Sequence, residues 1–167
     1  MRLLREFLEG VGSRLAPDEE GLVRINNKRF IEAEALTGLL PTRRDLVYAG
    51  RFLGRDKRVF IPSSILLEEL AREPSTRKAH VDRRTAWLFV CDRDVFEENL
   101  GVEGRPGLGE LYLVVSEGDC LGYGRIEEFE GRLILRNLFD LGDFLRRERR
   151  PSRRRGKPGA RKRGEAT

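Results

Sequence analysis

The sequence predicts an α+β protein in which an N-terminal α/β domain of antiparallel strands and helices (residues 1–82) precedes a mostly β domain (83–150) and a disordered basic tail (151–167). Three observations carry this. Helical and strand-like apolar spacings interleave through the first half. From residue 86 onward short apolar runs are separated by glycine-rich turns. After Pro151 no large apolar side chain occurs, so nothing there can offset the entropy of ordering.

Leu3, Leu4, Phe7, Leu8, Val11 and Leu15 recur at helical spacing with charges between them, which predicts an amphipathic helix despite Gly10 and Gly12. Pro17 and Asp18-Glu19-Glu20 end it. Leu22–Ile25 and Arg29–Ile31 flank Asn26-Asn27-Lys28, and Asn tolerates the positive φ of a tight hairpin turn. Glu32 to Leu39 reads as a short helix closed by Leu40-Pro41. A second strand pair is expected at Leu46–Leu53 and Arg58–Ile61, with residues 54–57 turning between them. Pro62-Ser63-Ser64 starts a helix with Ile65, Leu66 and Leu70 on its apolar face. A Ser N-cap with Glu68 and Glu69 near the positive helix end fits the start, and Pro74 fits the stop.

Pro74 to Arg84 is charged and poor in large apolar residues, as a linker would be. Strands are expected at Ala86–Cys91, Leu111–Ser116, Leu121–Glu127 and Leu133–Arg136, with a glycine-rich turn over residues 104–109. Leu141, Phe144 and Leu145 put one apolar face on a last short helix, whose final turn carries Arg146, Arg147, Arg149 and Arg150.

No apolar run approaches the roughly 20 residues of a membrane span, and charges interrupt any signal-like segment at Met1–Phe7, so a cytoplasmic location is expected. Charged residues make up 37% of the chain and glutamine is absent, a balance found in proteins of high-temperature organisms. Cys91 and Cys120 have no Cys-x-x-Cys spacing, which argues against a zinc ribbon. Two buried thiols on strands are favoured over a disulfide, which a thermophile would still permit. The net charge of +5 is unevenly divided: residues 1–23 carry −2, 24–84 carry +6, 85–145 carry −8 and 146–167 carry +9. Two basic regions flanking an acidic domain point to an anionic polymer as partner.

The chain resembles the family of large-subunit ribosome-assembly factors called Nip-seven in eukaryotes, in its archaeal form, and its second half resembles a PUA domain. The stretches that carry this are Leu46-Val47-Tyr48-Ala49-Gly50-Arg51-Phe52-Leu53-Gly54 with Val59-Phe60-Ile61-Pro62, then Trp87-Leu88-Phe89-Val90, Cys120-Leu121-Gly122-Tyr123-Gly124, and the run from Leu135 to Glu148. The resemblance covers roughly residues 1–150. It implies an α/β domain joined to a PUA-like β pseudo-barrel, RNA as ligand, pre-ribosomal RNA in particular, other assembly proteins as partners, and no enzymatic activity. An RNA-modification enzyme, or its PUA-type targeting subunit, is the alternative. A purely protein-binding adaptor is a third reading.

With RNA as the implied ligand, the arginine-rich end supplies the candidate contacts: Arg146, Arg147, Arg149, Arg150, Arg153, Arg154, Arg155 and Lys157, followed by Arg161, Lys162 and Arg163. Arginine forks suit phosphate oxygens and their faces stack on bases. The competing reading is a solvated tail. Arg51, Arg55, Lys57 and Arg58, after Arg43 and Arg44, form a second basic cluster that serves equally well as ordinary surface charge. The single histidine, His80, reads as an exposed linker residue, and Ser63-Ser64 as a helix cap. No catalytic constellation, metal set, cofactor loop or small-molecule site is expected.

Overall fold

Helix α1, Arg2–Gly10, forms where the apolar spacing predicts it and buries Leu4, Phe7 and Leu8. It stops short of Leu15, because Gly12 turns the chain at φ 73°. The computed structural model describes residues 2–16, 21–31, 47, 50–143 and 146. The helix expected at 32–39, Arg43 and Arg44, Phe144 and Leu145, and everything from Arg147 onward lie outside the described residues.

The first sheet is an antiparallel meander of β1 (Leu22–Ile25), β2 (Lys28–Ile31), β3 (Arg51–Asp56) and β4 (Phe60–Pro62). Its first hairpin turns at Asn26, φ 55°, as the Asn-Asn pair predicts. The second turn differs from expectation. Gly54, read as a turn residue, lies within β3 opposite Pro62, and the chain reverses at residues 57–59, where the Lys57 N–H donates to the Val59 carbonyl. An ion pair between Arg29 and Asp56 at 2.7 Å ties β2 to the end of β3 beyond the glycine.

Helix α2, Ser64–Arg72, begins at the Ser63 cap that the sequence signals. The Ser63 hydroxyl accepts the Leu66 N–H at 3.1 Å and donates to the Phe52 carbonyl at 2.7 Å, so one side chain both starts the helix and fastens it to β3.

The second sheet has the order β5-β7-β8-β9-β6, with β5 (Lys78–His80) parallel to β7 (Leu111–Ser116) and the other pairs antiparallel. Strands β8 (Asp119–Phe129) and β9 (Arg132–Asp140) form a long hairpin, and β6 (Val95–Phe96) closes the edge beside β9. Two expectations are corrected here. The segment read as a linker contains β5, and the strand expected at Ala86–Cys91 is instead helix α3, Arg83–Val90. The Asp82 carboxylate accepts the Thr85 N–H at 2.7 Å, an N-cap that commits the following apolar run to helix.

Strand β7 is buried on both faces. Leu113 and Val115 join Leu4, Phe7, Leu66 and Leu70 in one core, while Tyr112 and Val114 join Phe89, Val95, Ile126 and Leu135 in the other. This period-two division places α1 and α2 on one side of the sheet and α3 on the other. The Phe7 ring lies 5.7 Å from Phe60 of the first sheet and 5.2 Å from Tyr123 of the second. Tyr123 sits in the Gly-Tyr-Gly stretch because a Cβ at Gly122 would overlap the Phe139 carbonyl of β9.

Glu73, at the end of α2, accepts from the Ser13 and Ser75 hydroxyls and the Arg14 N–H, each at 2.6 Å, and so ties the end of α1 to α2. Burial pushes its carboxyl upward, but these bonds outweigh burial and hold it below the usual 4.5. A lowered folded-state pKa stabilises above the unfolded value and is lost as pH falls through the folded one. Urea unfolding should therefore show Glu73→Gln less stable than wild type near neutrality, with the gap closing as pH falls below about 4. A gap independent of pH would contradict the assignment.

The two thiols differ from expectation. Cys120 is buried on β8, where burial pushes its thiol up to about 11, whereas Cys91 is exposed at the end of α3, and both are free. A thiol reagent such as Ellman's should titrate one cysteine in the native chain and two in denaturant; two in the native chain would refute the burial of Cys120.

Candidate nucleic-acid interface

A cleft of about 610 Å³ opens where the first sheet meets the end of β9. Arg55 of β3 and Lys57 of the following turn line one side, Ser64 and Ile65 of α2 the base, and Asn137 to Asp140 with Asp92, Asp143 and Arg146 the other side. Arg58 lies exposed on the same turn as Lys57. Among the described residues, Arg55, Lys57 and Arg58 form no ion pair, although Asp92, Asp140 and Asp143 line the same cleft.

The opposite side is built around Asp140, which is 1% exposed. Its carboxylate accepts both Nη groups of Arg146, at 3.0 and 2.8 Å, and the Asn137 side-chain amide at 3.1 Å. The same amide donates to the Phe89 carbonyl at 2.8 Å, and Arg146 donates to the Val90 carbonyl at 2.6 Å. These are carbonyls at the C-terminal end of α3, where the helix attracts positive charge; that of Phe89 also accepts the Asp92 N–H at 3.0 Å. The hydrogen bond to Asp140, with the nearby charges of Asp92 and Asp143, raises the Arg146 pKa further above its ordinary value. Gly142 is required at the turn, because a Cβ there would overlap the Val90 carbonyl.

The structure thus separates residues that the sequence groups together. Arg55 and Lys57 meet Arg146 across one cleft, although about 90 residues of chain lie between them. Arg51 pairs instead with Glu69 of α2, at 2.6 Å. Arg146 is engaged by Asp140 and Val90, which makes it a brace of the cleft wall. Arg147, Arg149, Arg150, Arg153, Arg154, Arg155 and Lys157 lie outside the described residues. Nothing in the sequence singles out Asn137 and Asp140, since a lone Asn or Asp at the end of a strand carries no signal until its fold partners are known.

Residues 77–149 match the UPF0113 PUA domain family, beginning one residue before β5. The chain is therefore a PUA-domain protein, a class that points to RNA binding. A UPF0113 protein of the archaeon Aeropyrum pernix is 34% identical over 154 residues, covering 87% of each chain. The chain belongs to the UPF0113 family. A solved structure described as a conserved PUA domain protein from Thermoplasma acidophilum is similar at 18% identity and a TM-score of 0.41, over 56% of this chain and 70% of that one.

Removing the Arg146 fork leaves Asp140 buried without its cation, so Arg146→Ala should lower unfolding free energy by about 3 kcal/mol, read from denaturant midpoints. A loss within about 0.5 kcal/mol, as for an ordinary surface side chain, would show that the brace is dispensable.

Proposed function

We propose that this protein is an RNA-binding factor that acts in assembly of the large ribosomal subunit by holding pre-ribosomal RNA, with no reaction of its own. The observation that carries RNA binding is the PUA domain over residues 77–149, with Arg55, Lys57 and Arg58, unpaired among the described residues, at its junction with the first sheet. The assembly role rests on the Nip-seven resemblance, carried by the stretches around Leu46–Gly54, Trp87–Val90, Cys120–Gly124 and Leu135–Glu148. Other assembly proteins are the expected partners, with the cytoplasm as the compartment.

On this reading affinity has two electrostatic parts. Cations near the cleft, held on a folded strand and turn, orient the RNA, and the 10 basic residues after Arg146 add attraction that salt screens. A chain ending at Arg150 keeps 26 basic and 27 acidic residues, a net charge of −1. It should bind RNA more weakly at low salt, and the slope of log affinity against log salt should flatten by about 0.7 for each phosphate that is no longer neutralised. Arg55→Ala with Lys57→Ala should weaken binding about tenfold while leaving the denaturant midpoint unchanged, because neither charge forms an ion pair among the described residues. Equal affinity of both variants and wild type across several salt concentrations would refute the placement. Crosslinking in the native cells should recover large-subunit precursor RNA. Turnover of a modified base by the purified chain would replace this reading with that of an RNA-modification enzyme.

A further inference from the structure

The outward face of α3 has no function in the cleft or in either core. Its exposed positions are Arg83, Arg84, Trp87 and Leu88, continued by the cap Cys91; Arg84, Trp87, Leu88 and Cys91 follow the i, i+3, i+4, i+7 stripe of one face, while Thr85 and Phe89 turn inward. Trp87 is 68% exposed and Leu88 46% exposed, an unusual placement for the only tryptophan in the chain unless something covers it.

The charges at the two ends of this stripe are mixed: Arg83 and Arg84 follow Asp82, and Arg93 follows Asp92. Arg84 precedes the indole by one turn, and Arg93 follows the helix, its N–H bonded to the Leu88 carbonyl at 3.2 Å. Neither arginine forms an ion pair among the described residues. Asp82, near Arg84, is occupied in capping the Thr85 N–H, and Glu117 faces Arg83 at 3.6 Å across an exposed gap. A shallow depression of about 250 Å³ adjoins the indole, with Ala86, Val90 and Leu121 offering an apolar base and the Glu117 and Asp119 carboxylates nearby.

We propose that this face is a stacking site for single-stranded RNA. Trp87 supplies the platform for one base, Arg84 and Arg93 take the flanking phosphates, and the neighbouring depression admits an adjacent base. Arg84 lies one turn before the indole and Arg93 in the turn that closes the helix, so the two cations flank it along the chain. An exposed indole stacks on any base because every base has a π-face, so the site is tolerant of sequence. Carboxylates beside the depression accept from base amino groups but repel phosphate, which orients bases toward the depression and the backbone toward the arginines. A duplex, with its bases already stacked, offers nothing to the indole. The inference rests on the RNA reading above and adds the strand type and the residue that meets it.

The single tryptophan makes the test direct. The full chain is titrated with an end-labelled 12-nucleotide oligo(U), an oligo(A) and a duplex of the same length, following label anisotropy and tryptophan fluorescence together. The expected result is saturable quenching of Trp87 by both single strands but not by the duplex. Trp87→Ala should lose about tenfold in single-strand affinity with duplex affinity unchanged, and Trp87→Phe should retain most of it. Since the side chain is exposed, Trp87→Ala should fold normally, which its circular dichroism checks. If anisotropy reports binding while Trp87 fluorescence stays constant and Trp87→Ala binds equally, the stacking site is overturned and the RNA reading stands. If sedimentation shows a self-associated chain that Trp87→Ala makes monomeric, the face is a protein contact and the proposal falls. If no RNA is bound by the wild type at any salt, the RNA reading itself fails, and this site with it.

Discussion

The buried carboxylate of Asp140 is the constraint on which the functional side of the molecule depends. An ionised group with 1% exposure is tolerable only where donors surround it, and Arg146 and Asn137 are those donors. Both reach further, to the carbonyls of Phe89 and Val90 at the end of α3. A single polar cluster therefore fixes three things together: where β9 ends, where α3 ends and where the chain goes next. The close approach of Gly142 to the Val90 carbonyl follows from the same geometry. Without the cluster, the Val90 carbonyl and the carboxylate would each need water, and the cleft would lose one wall.

Its other wall is held by hydrophobic packing. Helices α1 and α2 lie against β7 and β8 of the second sheet while α1 also meets β4 of the first, so Phe7 spans from Phe60 to Tyr123 within one core. The two sheets are joined through this core and through Ser63, which caps α2 and bonds to β3 at once. Cations on the β3–β4 turn are thereby set at a defined position relative to β9. That is why Arg55 and Lys57 can belong to the same cleft as Arg146.

What was legible in the sequence was local. The Asn26 turn, the Ser63 cap and the β8–β9 hairpin are each specified by residues within a few positions of one another, and all form as the pattern predicts. Helix α3 was not legible. Its apolar run from Trp87 to Cys91 looks like a buried strand, and the competing signal, the Asp82 cap, sits in a segment whose charge suggests a linker. β5 escapes for a related reason: three residues, two of them polar, become a strand only because β7, more than 30 positions later, offers a parallel edge. The basic cluster at Arg55 to Arg58 was legible as composition, but nothing in the sequence distinguishes Arg51, paired with Glu69, from Arg55, which has no ion pair among the described residues. Pairing is a property of the fold.

That distinction also bears on an odd feature of the sequence, a net charge of −8 over residues 85–145, within a PUA domain that carries −3 over its matched residues 77–149. Part of that negative charge is offset from outside the segment, by Arg77 and Arg146. Glu127 and Asp94 both bind Arg136, Glu98 binds Arg132, Glu110 binds Arg77 and Asp140 binds Arg146. An ion pair looks weakly charged from a Debye length away, about 8 Å at physiological salt, so an approaching phosphate meets chiefly the charges left outside such pairs. Arg55, Lys57, Arg58, Arg84 and Arg93 are among the cations outside the ion pairs of the described residues, with Arg14, Arg24, Lys28, Arg72, Lys78, Arg105 and Arg125 elsewhere. The distribution of unpaired charge, and not the regional total, decides where a polyanion can settle. Among the described residues, the cations beside the cleft and those near the ends of α3 are two places where charge is left outside ion pairs.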